Sequence, residues 1–178
     1  MLLAAAVIAS AALMPTKVLA QKLGHINYPL VIHLTPERDE AITKLQAFQK
    51  ELQETINSMQ TDFQNKYKEY QEKQSTWNES IKKAKEDELS SLNQRMQQFA
   101  QQAEQDIEAR QNTLFEPIQK KVMEAINKVA KAQGLTYVFD TSSGAVIYTD
   151  ETNSIDLLPM VKSELGIPAS KTQPTQIQ

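Results

Sequence analysis

The chain has 178 residues, no cysteine and a formal net charge of −3 at pH 7. The lack of cysteine excludes disulfides, thiolate metal sites and cysteine nucleophiles, and the near-neutral charge does not provide the concentrated basic surface that nucleic acid requires. Only 6% of the residues are aromatic and four are glycine, a composition typical of long solvated helices. Because such a monomer can build only a small core, self-association is an expected source of stability.

The N-terminal segment has the features of a secretory signal peptide. Leu2 to Met14 is almost wholly apolar and is followed by Pro15 and by the small residue Ala20, which suits a signal-peptidase site. The apolar run is shorter than the roughly 20 residues that span a bilayer. No lysine or arginine precedes it, which indicates a truncated or misassigned start. The alternative to a signal peptide is a buried N-terminal helix. We predict a signal peptide over residues 1–20 and no stable membrane insertion after its cleavage.

A short body region is predicted next, over residues 21–36. Residues 22–27 carry a modest strand signal, and the mostly apolar residues 28–34 indicate a short helix. Thr35 is a suitable cap for a following helix, whose first position would be Pro36.

The central part of the chain predicts a long helical hairpin. No proline or glycine occurs between Glu37 and Glu116, which indicates continuous helix. Apolar residues recur every three or four positions in a narrow stripe, as in a coiled coil. Folding the chain near Thr76 brings the two stripes together, so we predict an antiparallel arm over residues 37–116 with its tip at 74–79. The predicted seam consists of Leu45, Phe48, Leu52, Ile56, Met59, Phe63, Leu89, Leu92, Met96, Phe99, Ala103 and Ile107.

At the tip, Thr76 and Glu79 have the spacing of a capping box, so the second helix is predicted to start there. Trp77 is a possible contact for a partner or a membrane. The alternative, which we favour, is that Trp77 packs on Tyr70 or Ile81 and closes the seam.

Pro117 marks the predicted junction of arm and body. It lacks a backbone donor, so we expect it to interrupt and kink the second helix. Gly134 is a natural helix stop, and residues 135–140 and 145–149 predict the two strands of a β-hairpin.

A last short helix is predicted to start at Asn153 or Ser154 and to end at Gly166. The body would thus resume over residues 117–166, and residues 167–178 are predicted to be a disordered tail.

No pattern in the sequence indicates catalysis. His25 and His33 are the only histidines; they lack a zinc spacing and an arrangement for nucleophilic attack. The chain has no glycine-rich phosphate loop, and the arm carboxylates alternate with lysines as on a solvated helix face. We therefore expect no enzyme activity, no cofactor and no metal.

The order of predicted elements resembles the Skp (OmpH) family of periplasmic chaperones. The likeness depends most on residues 22–27, 133–140 and 145–148. The resemblance implies an α+β fold in which a long helical hairpin projects from a small β body, and a homotrimer joined through a central barrel. The barrel would include Leu23, Ile26, Tyr137, Val138, Phe139, Val146, Ile147 and Tyr148.

The resemblance also implies a function. It predicts a periplasmic, ATP-independent holdase that binds unfolded outer-membrane β-barrel proteins in a cavity between three arms. Well-known members are strongly basic, whereas this chain is slightly acidic, so lipopolysaccharide binding is not inferred. The alternative is a structural periplasmic coiled coil that bridges envelope components. A cytosolic prefoldin-like chaperone is a weaker alternative, because the chain begins with an export signal.

Overall fold

The computed structural model describes residues 21–172. The predicted signal peptide and the last part of the predicted tail, residues 173–178, lie outside the described residues. The elements in chain order are β1 (Leu23–Ile26), α1 (Tyr28–Leu34), α2 (Pro36–Lys73), α3 (Glu79–Gln133), β2 (Tyr137–Asp140), β3 (Ser154–Asp156) and α4 (Leu158–Glu164), with 3₁₀ turns at Gln74–Thr76 and Thr141–Ser143. No helix in this part of the chain combines the length and the apolar character needed to cross a bilayer.

Helices α2 and α3 form the predicted hairpin. α2 has 38 residues, which corresponds to about 57 Å at 1.5 Å per residue. Thr35 occupies the N-cap position of α2 as predicted, but its hydroxyl makes no cap hydrogen bond to α2 and donates to the carbonyl of Val31 at 2.9 Å instead. Pro36 does occupy the first turn, where its missing N–H costs nothing.

The turn at the tip differs from the predicted capping box. The Thr76 hydroxyl donates to the carbonyl of Lys73 at 2.7 Å, because α2 tightens into a 3₁₀ turn at its end. Asn78 is the residue that caps α3, and its side-chain oxygen accepts from the amide of Ile81 at 3.0 Å. The cap of the second helix therefore lies two residues after the predicted one, at Asn78 instead of Thr76.

Pro117 does not interrupt the second helix, so that part of the prediction is wrong, while the kink stays a prediction. α3 runs without a break from Glu79 to Gln133 with Pro117 inside it. The proline is exposed, so its ring faces solvent. It lines a shallow surface pocket with Ala41 and Ile118, which places it opposite the first turns of α2. We call this place, where arm and body meet, the arm root.

The predicted β-hairpin is also wrong. The three strands form one parallel sheet in the order β2-β1-β3, with Leu23 beside Tyr137 on one side and Ser154 on the other. Consecutive strands that run in the same direction need a crossover rather than a tight turn. Residues 141–153 provide this crossover between β2 and β3. The apolar segment 145–149 therefore lies outside the strands, although its composition is typical of one.

A small core lies between the inner face of the sheet, α1, the end of α3, and α4. It comprises Ile26, Val31, Val122, Ala125, Ile126, Val129, Leu157 and Val161. Gly24 permits this packing, because a Cβ atom there would lie 2.5 Å from Leu157 Cδ1 and 2.6 Å from Leu135 Cδ1.

The last helix begins later than predicted and ends at Glu164, two residues before Gly166. Ser154 belongs to β3, and α4 starts at Leu158, whose amide donates to the Asp156 carboxylate at 2.9 Å. Beyond α4, Ile167 is buried. Residues 167–172 therefore pack on the body instead of forming the predicted disordered tail.

Candidate functional site

The arm buries its apolar stripe almost entirely within itself. Every predicted seam residue is buried or half-buried, while the residues around them are mostly exposed. Leu92 and Ala103 are the most deeply buried. Towards the tip the stripe opens, since Tyr67 and Ile81 are exposed. The individual residue pairs across the seam stay a prediction.

Polar contacts beside the seam join the two helices. Lys66 Nζ donates to Glu88 Oε1 at 2.6 Å, and the Tyr70 hydroxyl donates to Glu86 Oε1 at 2.5 Å. The hydrogen bond to Glu88 raises the pKa of Lys66, and the bonds from Lys66 and then Lys85 lower the pKa of Glu88. These residues were not among the predicted site residues. The sequence did contain a signal for them, because opposite charges stand next to the apolar stripe of each helix at matching distances from the tip.

Several lysines on the arm surface have an acidic partner on the same helix. Lys50 lies 3.8 Å from Glu54, and Lys73 lies 2.9 Å from Glu69. Such i,i+4 pairs stabilise the helix slightly and largely cancel each other's charge. The arm surface is therefore mixed in charge and rich in amides, rather than uniformly basic.

The tip has a small aromatic cluster. The rings of Trp77 and Tyr70 lie 6.0 Å apart between centroids and are tilted by 57°. Trp77 is half-buried. The favoured packing of Trp77 on Tyr70 is thus present in the structure, and part of the indole remains open to solvent.

The second candidate surface is the outer face of the sheet. Side chains alternate along a strand, so Gly24 and Ile26 face the core while Leu23 and His25 face outwards. On β2, Tyr137 and Phe139 are exposed, and their ring centroids lie 6.2 Å apart. The β2 side of this face is therefore aromatic and open to solvent.

The crossover adds further apolar side chains to this face. Ile147 is 95% exposed and Tyr148 is 79% exposed. Together with Phe139 and Val146 they border a cavity of about 440 Å³. We use the term outer face for Leu23, Tyr137, Phe139, Val146, Ile147 and Tyr148.

The structure separates the predicted barrel residues into two groups. Ile26 and Val138 pack with the core of the chain itself, so they are not available to a partner chain in the way that the resemblance implied. The six residues of the outer face are the ones left for an interface. The sheet of the single chain is open, and the barrel itself stays a prediction.

The two histidines have different surroundings. His25 Nδ1 lies 2.8 Å from Ser154 Oγ, which joins the side chains of β1 and β3 on the outer side of the sheet. His33 is exposed on α1. Ser154 was not a predicted site residue, because its position before an apolar segment predicts the start of a helix.

Known proteins match this combination of arm and body. Residues 22–165 match the family described as outer membrane protein (OmpH-like). The chain is 25% identical over 143 residues to chaperone protein Skp of Pectobacterium atrosepticum, covering 80% of this chain and 87% of that protein. It is 27% identical over 124 residues to chaperone protein Skp of Vibrio cholerae, covering 70% and 73% respectively.

A solved structure shares the fold. It is that of a candidate outer membrane chaperone (OmpH-like) from Caulobacter crescentus, with a TM-score of 0.70 and 15% identity, covering 89% of this chain and 94% of that chain. At this identity the likeness concerns the fold alone. The relatives are named as chaperones and not as enzymes. Because the family match covers most of the sequence, the chain belongs to the OmpH-like outer membrane protein family.

Proposed function

We propose that the chain is a periplasmic, ATP-independent holdase chaperone that binds unfolded outer-membrane β-barrel proteins. The observation that supports this most directly is the arm. From Leu45 to Ile107 its helices bury little besides the seam between them and its flanks, and α2 as a whole is about 57 Å long at 1.5 Å per residue. The relatives named chaperone protein Skp support the same function.

In this proposal three chains associate through the outer face. Apolar side chains as exposed as Ile147 and Tyr148 are typical of an interaction surface. A homotrimer would hold three arms around one space, as the resemblance implies. The predicted signal peptide would export the chain to the periplasm.

The proposed mechanism depends on many weak contacts. The glutamine, lysine and glutamate side chains of the arms, with the open end of the stripe near Tyr67 and Ile81, offer mixed contacts that adapt to different partners. Several arms around one chain raise its effective concentration at each contact. Apolar segments of the bound chain are thereby kept from meeting one another, and release follows when membrane insertion offers a lower free energy.

The first prediction tests holdase activity. An unfolded outer-membrane β-barrel protein is diluted from denaturant into the chain starting at Gln21, without nucleotide, and aggregation is followed by light scattering. We expect suppression near one trimer for each unfolded chain. A matched variant lacks residues 56–73 and 79–96, which removes about five turns from each helix and preserves the phase of the seam. It should fold and associate but lose most of the protection.

Two outcomes would contradict the proposal. No suppression by the intact chain at several-fold excess would favour the structural bridging protein. Equal protection by the intact and shortened chains would show that the arms do not hold the unfolded protein.

The second prediction concerns salt. Because arm lysines such as Lys50 and Lys73 are paired with carboxylates on the same helix, we expect little electrostatic capture. Protection at 1 M salt, where the Debye length is about 3 Å, should remain within about twofold of that at low salt. Aggregation of the β-barrel protein alone is measured at each salt concentration as the control. A loss of most protection at 1 M salt would show that charge attraction dominates binding.

A further inference from the structure

Residues 167–172, which we call the clasp, follow α4 and return along the body. Ile167 is only 4% exposed, and its amide donates to the carbonyl of Lys162 at 2.8 Å. The amide of Lys171 donates to the carbonyl of Pro168 at 3.0 Å, which closes a turn. The clasp therefore has a defined path over the surface.

Lys162 attaches the clasp to α4. This residue is only 6% exposed, and its ammonium group donates to the carbonyl oxygens of Ala169 and Lys171, each at 2.8 Å. A buried ammonium group is costly without hydrogen-bond partners, and charge-assisted hydrogen bonds are stronger than neutral ones. Because the partners of Lys162 are backbone carbonyl oxygens of the clasp, these hydrogen bonds form only when the clasp backbone follows this path.

Lys171 attaches the other end of the clasp to the arm root. Its Nζ lies 3.6 Å from Asp39 Oδ2, and both side chains are mostly shielded from solvent. Asp39 lies in the first turn of α2, where a negative charge also suits the helix dipole. Its other oxygen, Oδ1, lies 3.4 Å from Arg38 Nη1. The clasp thus connects α4 in the body with the first turn of the arm.

We propose that the clasp restrains the swing of the arm about its root. The root has two features that permit bending. α2 follows α1 through the single residue Thr35, and α3 lacks one backbone donor at Pro117. Glu37 and Lys121 also form an ion pair at this level. This pair joins the two long helices to each other and does not involve α4. The contact of Lys171 with Asp39 instead links α2 to the clasp, which Lys162 holds on α4, so it limits the angle between arm and body.

The restraint would set how wide the space between neighbouring arms becomes. It does not depend on the proposed holdase function, because it concerns one chain and the angle of one arm. It can therefore be tested without any bound protein.

The test measures the distance between arm and body by pulsed electron–electron resonance. The chain has no cysteine, so spin labels can be placed at Glu51→Cys on α2 and Ala132→Cys at the body end of α3, both exposed positions. Labelled chains are diluted with unlabelled chains so that each assembly has one label pair. We expect Lys171→Ala to broaden the distance distribution about twofold, as for a released hinge.

Matched variants distinguish an effect of the clasp from a general effect of substitution on the distance distribution. Lys50→Ala removes the same charge from an exposed pair on the arm and should leave the distribution unchanged. A chain ending at Gly166 should broaden it as Lys171→Ala does, while a chain ending at Thr172 should not. Hydrogen exchange at the amides of Ile167 and Lys171 should accelerate in Lys162→Met, because the clasp loses both bonds from the Lys162 ammonium group.

Equal distributions in the original chain, Lys171→Ala and the chain ending at Gly166 would overturn the proposal. If the shortened chain does not fold, Lys171→Ala decides the question alone, since this side chain contributes nothing to the apolar core.

Discussion

Replacing Ile147 with aspartate should abolish self-association of the chain. Ile147 is 95% exposed in the single chain, so the substitution does not disturb the monomer core. In the proposed assembly it would bury an unpaired carboxylate in an apolar interface, which costs several kcal/mol. A loss of about 3 kcal/mol at one interface weakens association more than a hundredfold. Light scattering coupled to size-exclusion chromatography should therefore report a monomer.

The matched control for Ile147→Asp is Ile81→Asp. Ile81 is also an exposed isoleucine, but it lies on the arm. Its substitution should leave the mass of the assembly unchanged. If Ile147→Asp also kept the mass of the original chain, the outer face would not be the interface and the proposed trimer would need another surface. The far-UV circular dichroism of both variants should match that of the original chain.

Gly24→Val should produce the largest loss of stability of any single change considered. A Cβ atom at position 24 would lie within 2.6 Å of the terminal methyl groups of Leu157 and Leu135. Leu157 is completely buried, so it has no space into which to move. Forcing extra atoms into such a core costs about 3 kcal/mol, and this corresponds to a fall in Tm of about 10 °C for a chain of this size.

Thermal unfolding followed by circular dichroism tests the stability prediction. Gly24→Ala should give an intermediate loss, because its single added carbon already meets both leucines. Ala145→Val is the control, since it adds two methyl groups at an exposed position and should change Tm little. An unchanged Tm in Gly24→Val would mean that β1 and Leu157 are less tightly packed than the structure shows.

The arm could be predicted from sequence because its determinants are local. The lack of proline and glycine from Glu37 to Glu116 and the spacing of the apolar residues do not depend on distant contacts. The predicted seam residues are accordingly the ones that are shielded in the structure. The tip was less predictable, since Thr76 and Asn78 are both good caps, and the choice depended on how the end of α2 tightens.

The sheet could not be predicted in the same way. Residues 145–149 have the composition of a strand, whereas Ser154–Asp156 does not, yet only the latter pairs with β1. Strand pairing depends on which backbone edge is free and on the direction of the approaching chain. That pairing places Ile26 in the core of the body and leaves Ile147 exposed to solvent. It therefore divides the predicted barrel residues into two groups.

The sequence by itself therefore determined the hairpin arm, its seam, the first strand with its short helix, and the family resemblance. These depend on periodicity and on the residues that start and stop helices, which act over a few positions. Only the tertiary structure decided the parallel sheet, the apolar outer face, the uninterrupted α3 and the clasp. Each of these depends on groups that are far apart in the chain, such as Lys171 and Asp39, or Gly24 and Leu157, which local sequence patterns do not bring together.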